Sequence, residues 1–185
     1  MKKVLVTFIV LFLSLSFVQI SAQKSAFAKN DNVLGIGMGV GDRSYSRLMH
    51  SSYKRTPYFF ATYERCIIKN VFDEKSSIGA GGQIGLSSIT WNDYWKRRHL
   101  KISTRGAFHY AFVDKLDTYA GLAFGIDFES WNYYNKWYDS KNNNSASAVY
   151  AFFAGARYYF TDNFAGFAEL GYGITVFNFG LAFKF

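Results

Sequence analysis

Three histidines, one cysteine and a scatter of carboxylates are the side chains of this chain that could do covalent chemistry. His50-Ser51-Ser52 puts a base beside two hydroxyls, and Asp93 and His99 follow further along. Nucleophilic catalysis needs the base within hydrogen-bond reach of the nucleophile and a third group orienting it. Adjacency in sequence supplies none of that geometry, so no catalytic site and no enzyme is expected. Cys66 stands alone, which excludes an intramolecular disulfide, and no Cys/His spacing suits a metal. Gly35, Gly37, Gly39 and Gly41 depart from the G-x-G-x-x-G spacing and no helix follows, so no nucleotide or other cofactor is expected. What remains is charge. The 21 Lys and Arg against 13 Asp and Glu give +8, which first points to nucleic acid or an anionic surface.

The elements that carry these charges decide between the two. Lys2 and Lys3 precede an apolar run from Val4 to Val18 and the small residues Ser21 and Ala22. This is the layout of a secretory signal peptide, residues 1–22, and the run is too short to span a membrane as a helix. An exported chain leaves nucleic acid out of the partners, and loss of the two lysines lowers the charge to +6. Residues 23–32 are expected to form a short periplasmic segment, and 33–185 a single domain.

That domain reads in twos. Leu34, Ile36, Met38 and Val40 alternate with glycines, and Ile78, Ala80, Gly82, Ile84 and Leu86 alternate with Gly79, Gly81, Gln83 and Gly85. Similar patterns recur through Leu100–Phe112, Leu122–Phe128, Tyr150–Phe160, Phe164–Tyr172 and Phe177–Phe185. A further strand over 57–67 has two readable parities, with Phe59, Ala61 and Tyr63 outward or the reverse. Eight strands of about 9–14 residues are long enough to cross a bilayer when tilted. One face of each is bulky and apolar, the other glycine, alanine, serine and a few charges. Small and charged residues suit the crowded lumen of a narrow barrel, which puts the large apolar face toward lipid. The expected fold is all-β, an eight-stranded antiparallel transmembrane β-barrel. Long polar connections at 42–56, 91–99 and 132–145 alternate with short ones, the asymmetry of outer-membrane barrels with loops outside and both termini periplasmic. Trp91, Trp95, Trp131 and Trp137 fall at or beyond the outer strand ends, where rings settle at an interface.

The closing segment carries Phe177, Phe179, Leu181, Phe183 and the terminal Phe185 in alternation. It resembles the C-terminal signal read by the outer-membrane insertion machinery. With Tyr119-Ala120-Gly121-Leu122 and Phe167 to Gly173, the chain resembles the small OmpA/OmpX-like outer-membrane β-barrel family in its Bacteroidetes-type form. That resemblance implies a multi-pass bacterial outer-membrane protein handled by the insertion machinery during biogenesis. It specifies architecture far more than activity. His50-Ser51-Ser52 also resembles the rim serine and histidine of lipid A acyltransferases of this fold, which keeps a lipid A-modifying enzyme as the alternative.

Two charge groups follow from the parity. Lys101, Arg105, Arg157 and Lys184 face inward with Glu64, Asp127, Glu129 and Glu169, and His109 lies nearby. An eight-stranded barrel is just wide enough for side chains to fill, so paired charges form a plug in preference to a narrow pore. In the outer loops, Arg43, Arg47, Lys54, Arg55, Lys96, Arg97, Arg98, Lys136 and Lys141 carry an excess equal to the whole +6. Lys and Arg bind phosphate well, which points to lipopolysaccharide or an external partner. The expectation is a non-catalytic, monomeric barrel with a structural or surface-interaction role.

Overall fold

The computed structural model describes residues 27–28, 30–41, 53–91, 95–133 and 144–185. Among them are nine strands: β1 Asn32–Val40, β2 Tyr53–Arg55, β3 Tyr58–Lys69, β4 Ser76–Trp91, β5 Trp95–Val113, β6 Leu116–Tyr133, β7 Asn144–Tyr159, β8 Phe164–Tyr172 and β9 Phe177–Lys184. Eight of them close a ring through β1–β3, β3–β4, β4–β5, β5–β6, β6–β7, β7–β8, β8–β9 and β9–β1, all antiparallel. The ninth, β2, continues β3 along β4 after Thr56 and Pro57, because proline cannot donate to the ladder. Closure pairs every wall strand on both edges, the condition for crossing lipid with strands.

The seam is clasped at the termini. The Asn32 and Phe185 amides each donate to the other's carbonyl, at 3.0 and 2.9 Å, and Asn163 Nδ2 donates to Lys184 O at 2.7 Å. Alternation then sorts the side chains. Ile36, Leu86, Phe124, Leu170 and the Phe177–Phe185 series face out, and Glu64, Lys101, Arg105, Arg157 and Glu169 are buried within. The ambiguous strand resolves with Phe59 and Tyr63 exposed and Glu64 buried.

The ring is uneven in height. Strands β4, β5, β6 and β7 have 16, 19, 18 and 16 residues, whereas β1, β8 and β9 have 9, 9 and 8. About 9–11 residues suffice to cross. The excess rises at the end opposite the termini as a raised wall. There the strands extend into the expected loops. The connection expected over 91–99 is reduced to 92–94, so Lys96, Arg97, Arg98 and His99 are strand residues. Likewise Lys54 and Arg55 belong to β2, and the third connection shrinks to 134–143. Paired backbone explains the difference: the hairpins keep their hydrogen bonds after the apolar pattern has ended.

Candidate functional site

The inward side chains form three tiers. Nearest the termini, His109 Nδ1 meets Asp117 Oδ1 at 2.9 Å and Nε2 meets Glu64 Oε1 at 3.1 Å. A carboxylate at each ring nitrogen suits an imidazolium, which donates from both. Arg157 Nη2 donates to Glu64 Oε2 at 2.8 Å, and its Nη1 lies 3.4 Å from Asp117 Oδ2. Phe27 covers this tier, buried with its ring 4.4 Å from that of His109, while Ser77 Oγ donates to Phe27 O at 3.2 Å. A side chain at Gly79 would meet Glu64, His109 and Phe27 at about 3 Å, so glycine makes this packing possible.

In the middle tier Arg105 donates from Nη2 to Glu169 Oε1 at 2.6 Å and from Nη1 to Gln83 Oε1 at 3.1 Å. Tyr119 donates to the same Glu169 oxygen at 3.0 Å, and Asn178 Nδ2 reaches its other oxygen at 3.3 Å. Arg105 also stands over the Phe153 ring, 4.1 Å from its centroid. The space left between these two tiers is about 10 Å³, the scale of a single water. Above them Gln83 Nε2 donates to the Tyr58 hydroxyl at 3.2 Å, and the Tyr58 ring occupies the slot left by Gly85. Lys101 Nζ stands 5.5 Å from the Tyr58 centroid.

The third tier lies inside the raised wall. His99 Nδ1 meets Asp127 Oδ2 at 3.0 Å, and Arg97 pairs with Glu129. Arg97 also lies over Trp131 at 4.8 Å, and Trp131 packs on Trp95 with centroids 5.1 Å apart. Both rings stand on inward rows, not at a lipid girdle, because they share the parity of Arg97 and His99.

Several expectations change here. Arg97 was expected in a loop contacting an outer partner, and Glu129 in the lumen plug; the two pair with each other at the rim. Arg55 and Arg97 share the inward parity of Ile89, whereas Lys54, Lys96 and Arg98 lie on the outward rows. Lys184 pairs with Asp31 at 3.7 Å and covers Tyr159, so it joins the floor and not the central network. The segment expected over 23–32 supplies Phe27 to the barrel mouth and Asn32 to β1. Arg43, Arg47, Lys136 and Lys141 lie outside the described residues, as do His50, Ser51, Ser52 and Asp93. His99 pairs with Asp127 in the third tier. Sequence reasoning also missed Asp117, which the register pairs with Arg157; its spacing of two from Tyr119 and four from Gly121 was the available signal.

No protein-family model matches the sequence, and no curated protein does. Solved structures do. Ail, the attachment invasion locus protein of Yersinia pestis, in complex with the heparin analogue sucrose octasulfate, superposes with a TM-score of 0.59 at 13% identity, covering 85% of this chain and all of that one. The outer membrane protein OprG from Pseudomonas aeruginosa gives 0.51 at 10% identity, covering 88% and 99%. The fold is that of the small OmpA/OmpX-like outer-membrane β-barrels.

Proposed function

We propose that this chain is an exported outer-membrane barrel whose outer wall holds lipopolysaccharide by its phosphates. One observation carries the reading. On the outward face, antiparallel register lines up Lys54, Thr90 and Lys96 in one row and Ser88, Arg98 and Ser130 in the next. Directly below come Phe59, Leu86, Leu100 and Phe128, the first apolar row. A cationic and hydroxylated band sits where apolar wall gives way to polar wall, the level of lipid headgroups. Ammonium and guanidinium groups bind phosphate through charge-assisted hydrogen bonds.

In this reading residues 1–22 direct export, the raised wall faces the exterior, and the Phe177–Phe185 strand serves the insertion machinery. The packed lower lumen supports a non-conducting role, because the space of about 10 Å³ between its tiers cannot hold a file of water. The test is the unfolding temperature of the full-length protein in micelles with added lipopolysaccharide. Stabilisation is expected for the natural protein and is lost in a Lys54→Gln, Lys96→Gln, Arg98→Gln triple variant or with dephosphorylated lipid A. Equal stabilisation of both proteins overturns the reading.

A further inference from the structure

From the Lys54, Lys96 and Arg98 band down to the turns at the termini end, the outward strand rows are uncharged with one exception. Among the described residues, Arg65 is the single charged side chain on these rows. It shares its face with Tyr63 and Ile67, both exposed, while Glu64 and Cys66 on either side are buried in the lumen. Arg65 is itself exposed and makes no hydrogen bond, ion pair or ring contact with the described residues. Asp31, whose carbonyl accepts from the adjoining Cys66 amide, has its carboxylate engaged by Lys184. A cation on a lipid-facing wall is costly, so such residues are rare and meet an anion.

Register sets Arg65 beside Asn32, the first residue of β1, which is clasped to Phe185, so the arginine lies toward the termini end. Its row then runs through Ala80 to Gly106 and Leu122, which stand well inside β5 and β6. Because the strands tilt, this row rises from the termini end toward the middle of the wall. Along it the wall is hollowed. A cavity of about 550 Å³ opens on the outward face among Ile78, Thr104, Gly106, Phe108, Leu122 and Phe124. A Cβ on Gly106 would meet nothing closer than 3.8 Å, whereas one on Gly121, on the lumen side, would strike the Gly106 carbonyl. Packing therefore requires glycine at 121 but not at 106. Nor is there a bulge, since Gly106 pairs with Ala80 and Leu122 in continuous register. The remaining reason for glycine inside a strand is close approach by a ligand or another backbone.

We propose that Arg65 and this hollow bind a phospholipid, with the phosphodiester on the guanidinium and an acyl chain over Ala80 and Gly106. An arginine stem lies along apolar wall while its charged end extends to the headgroup level. The anion at that level is the lipid phosphate, whose oxygens a guanidinium grips with two parallel N–H donors. In the orientation proposed above the termini end faces the periplasm, so the lipid belongs to the inner leaflet. The site shares no residue with the Lys54, Lys96 and Arg98 band at the other end of the wall.

The test is native mass spectrometry of the full-length protein in a non-ionic detergent, with dioleoyl phosphatidylglycerol added and the retained lipid counted. Preferential retention of a single molecule is expected. Arg65→Gln should weaken it about tenfold, the scale of a lost charge-assisted hydrogen bond, and Arg65→Lys should recover part of the loss. Gly106→Leu, which fills the hollow and leaves every charge in place, should weaken retention as well. Dioleoylglycerol, with the same chains and no phosphate, should be held no better by the natural protein than phosphatidylglycerol is by Arg65→Gln. A heat-modifiable gel band confirms that each variant is folded. The Lys54, Lys96, Arg98 triple variant should retain phosphatidylglycerol normally, so failure of the lipopolysaccharide reading leaves this site standing. Equal retention by the natural protein and Arg65→Gln overturns the proposal, as does equal retention of dioleoylglycerol and phosphatidylglycerol.

Discussion

The lower lumen and the raised wall use the same inward-facing charges, arginine and histidine against aspartate and glutamate, to different ends. Below, Arg105, Arg157 and His109 face Glu64, Asp117 and Glu169, and every carboxylate has two or more donors. Phe27 closes this region toward the termini and Tyr58 toward the far end. Above, Arg97 pairs with Glu129 and His99 with Asp127, with side chains up to 25% exposed. A network in which every carboxylate is held by two or more donors ties the strands together across the lumen. A partly solvated pair such as Arg97–Glu129 contributes less to that closure. Depth within one strand, β5, separates the two outcomes.

The sharpest way to break the contrast is to remove a cation from the closed network. Arg157→Ala leaves Glu64 and Asp117 buried beside His109 alone, and should destabilise the barrel by about 3–5 kcal/mol. Urea unfolding in micelles, followed by tryptophan fluorescence, measures it; a loss comparable with that of a rim variant would erase the distinction. The matching change above is Glu129→Gln. Because that pair is partly solvated, the cost should stay within about 1 kcal/mol, with the same assay reporting it.

The smallest effect belongs to the turn at the termini end. There desolvation acts upward on the Asp73 carboxyl, but hydrogen bonds from Tyr110, Ser76 and the Lys75 amide together outweigh it and hold the group below its ordinary value. A depressed carboxylate contributes stability above its unfolded value and loses it as pH falls through the folded one. A slight acid-side decline in unfolding midpoint is therefore expected, and Asp73→Asn should flatten it. An identical slope in the variant assigns the decline to other carboxylates.

Much of the wall was legible because parity is a local property. Outward Ile36 and Phe124 and inward Arg105 and Glu169 could be assigned from alternation with no knowledge of their partners. The parity of 57–67 could not, because Tyr-Phe-Phe-Ala-Thr-Tyr mixes bulky residues on both faces; pairing Tyr63 with Leu34 and Gly82 decided it. The ends of strands were illegible for a related reason. Lys96-Arg97-Arg98-His99 carries no apolar signal, and its place in β5 comes from hydrogen bonds to β4 and β6. Partners across the lumen were illegible too, because Arg157 and Glu64 are 93 residues apart.

The sequence by itself determined that this chain forms a closed β-barrel with an apolar exterior, since two-residue periodicity and side-chain size are written along each strand. Tertiary structure alone decided how high each strand rises, and so which charges are sealed in the lumen and which stand on an open face. It also decided which cations look outward, because a shift of one residue along a strand reverses the face. Charge is a property of a residue, whereas burial and partnership belong to the register that brings distant strands side by side.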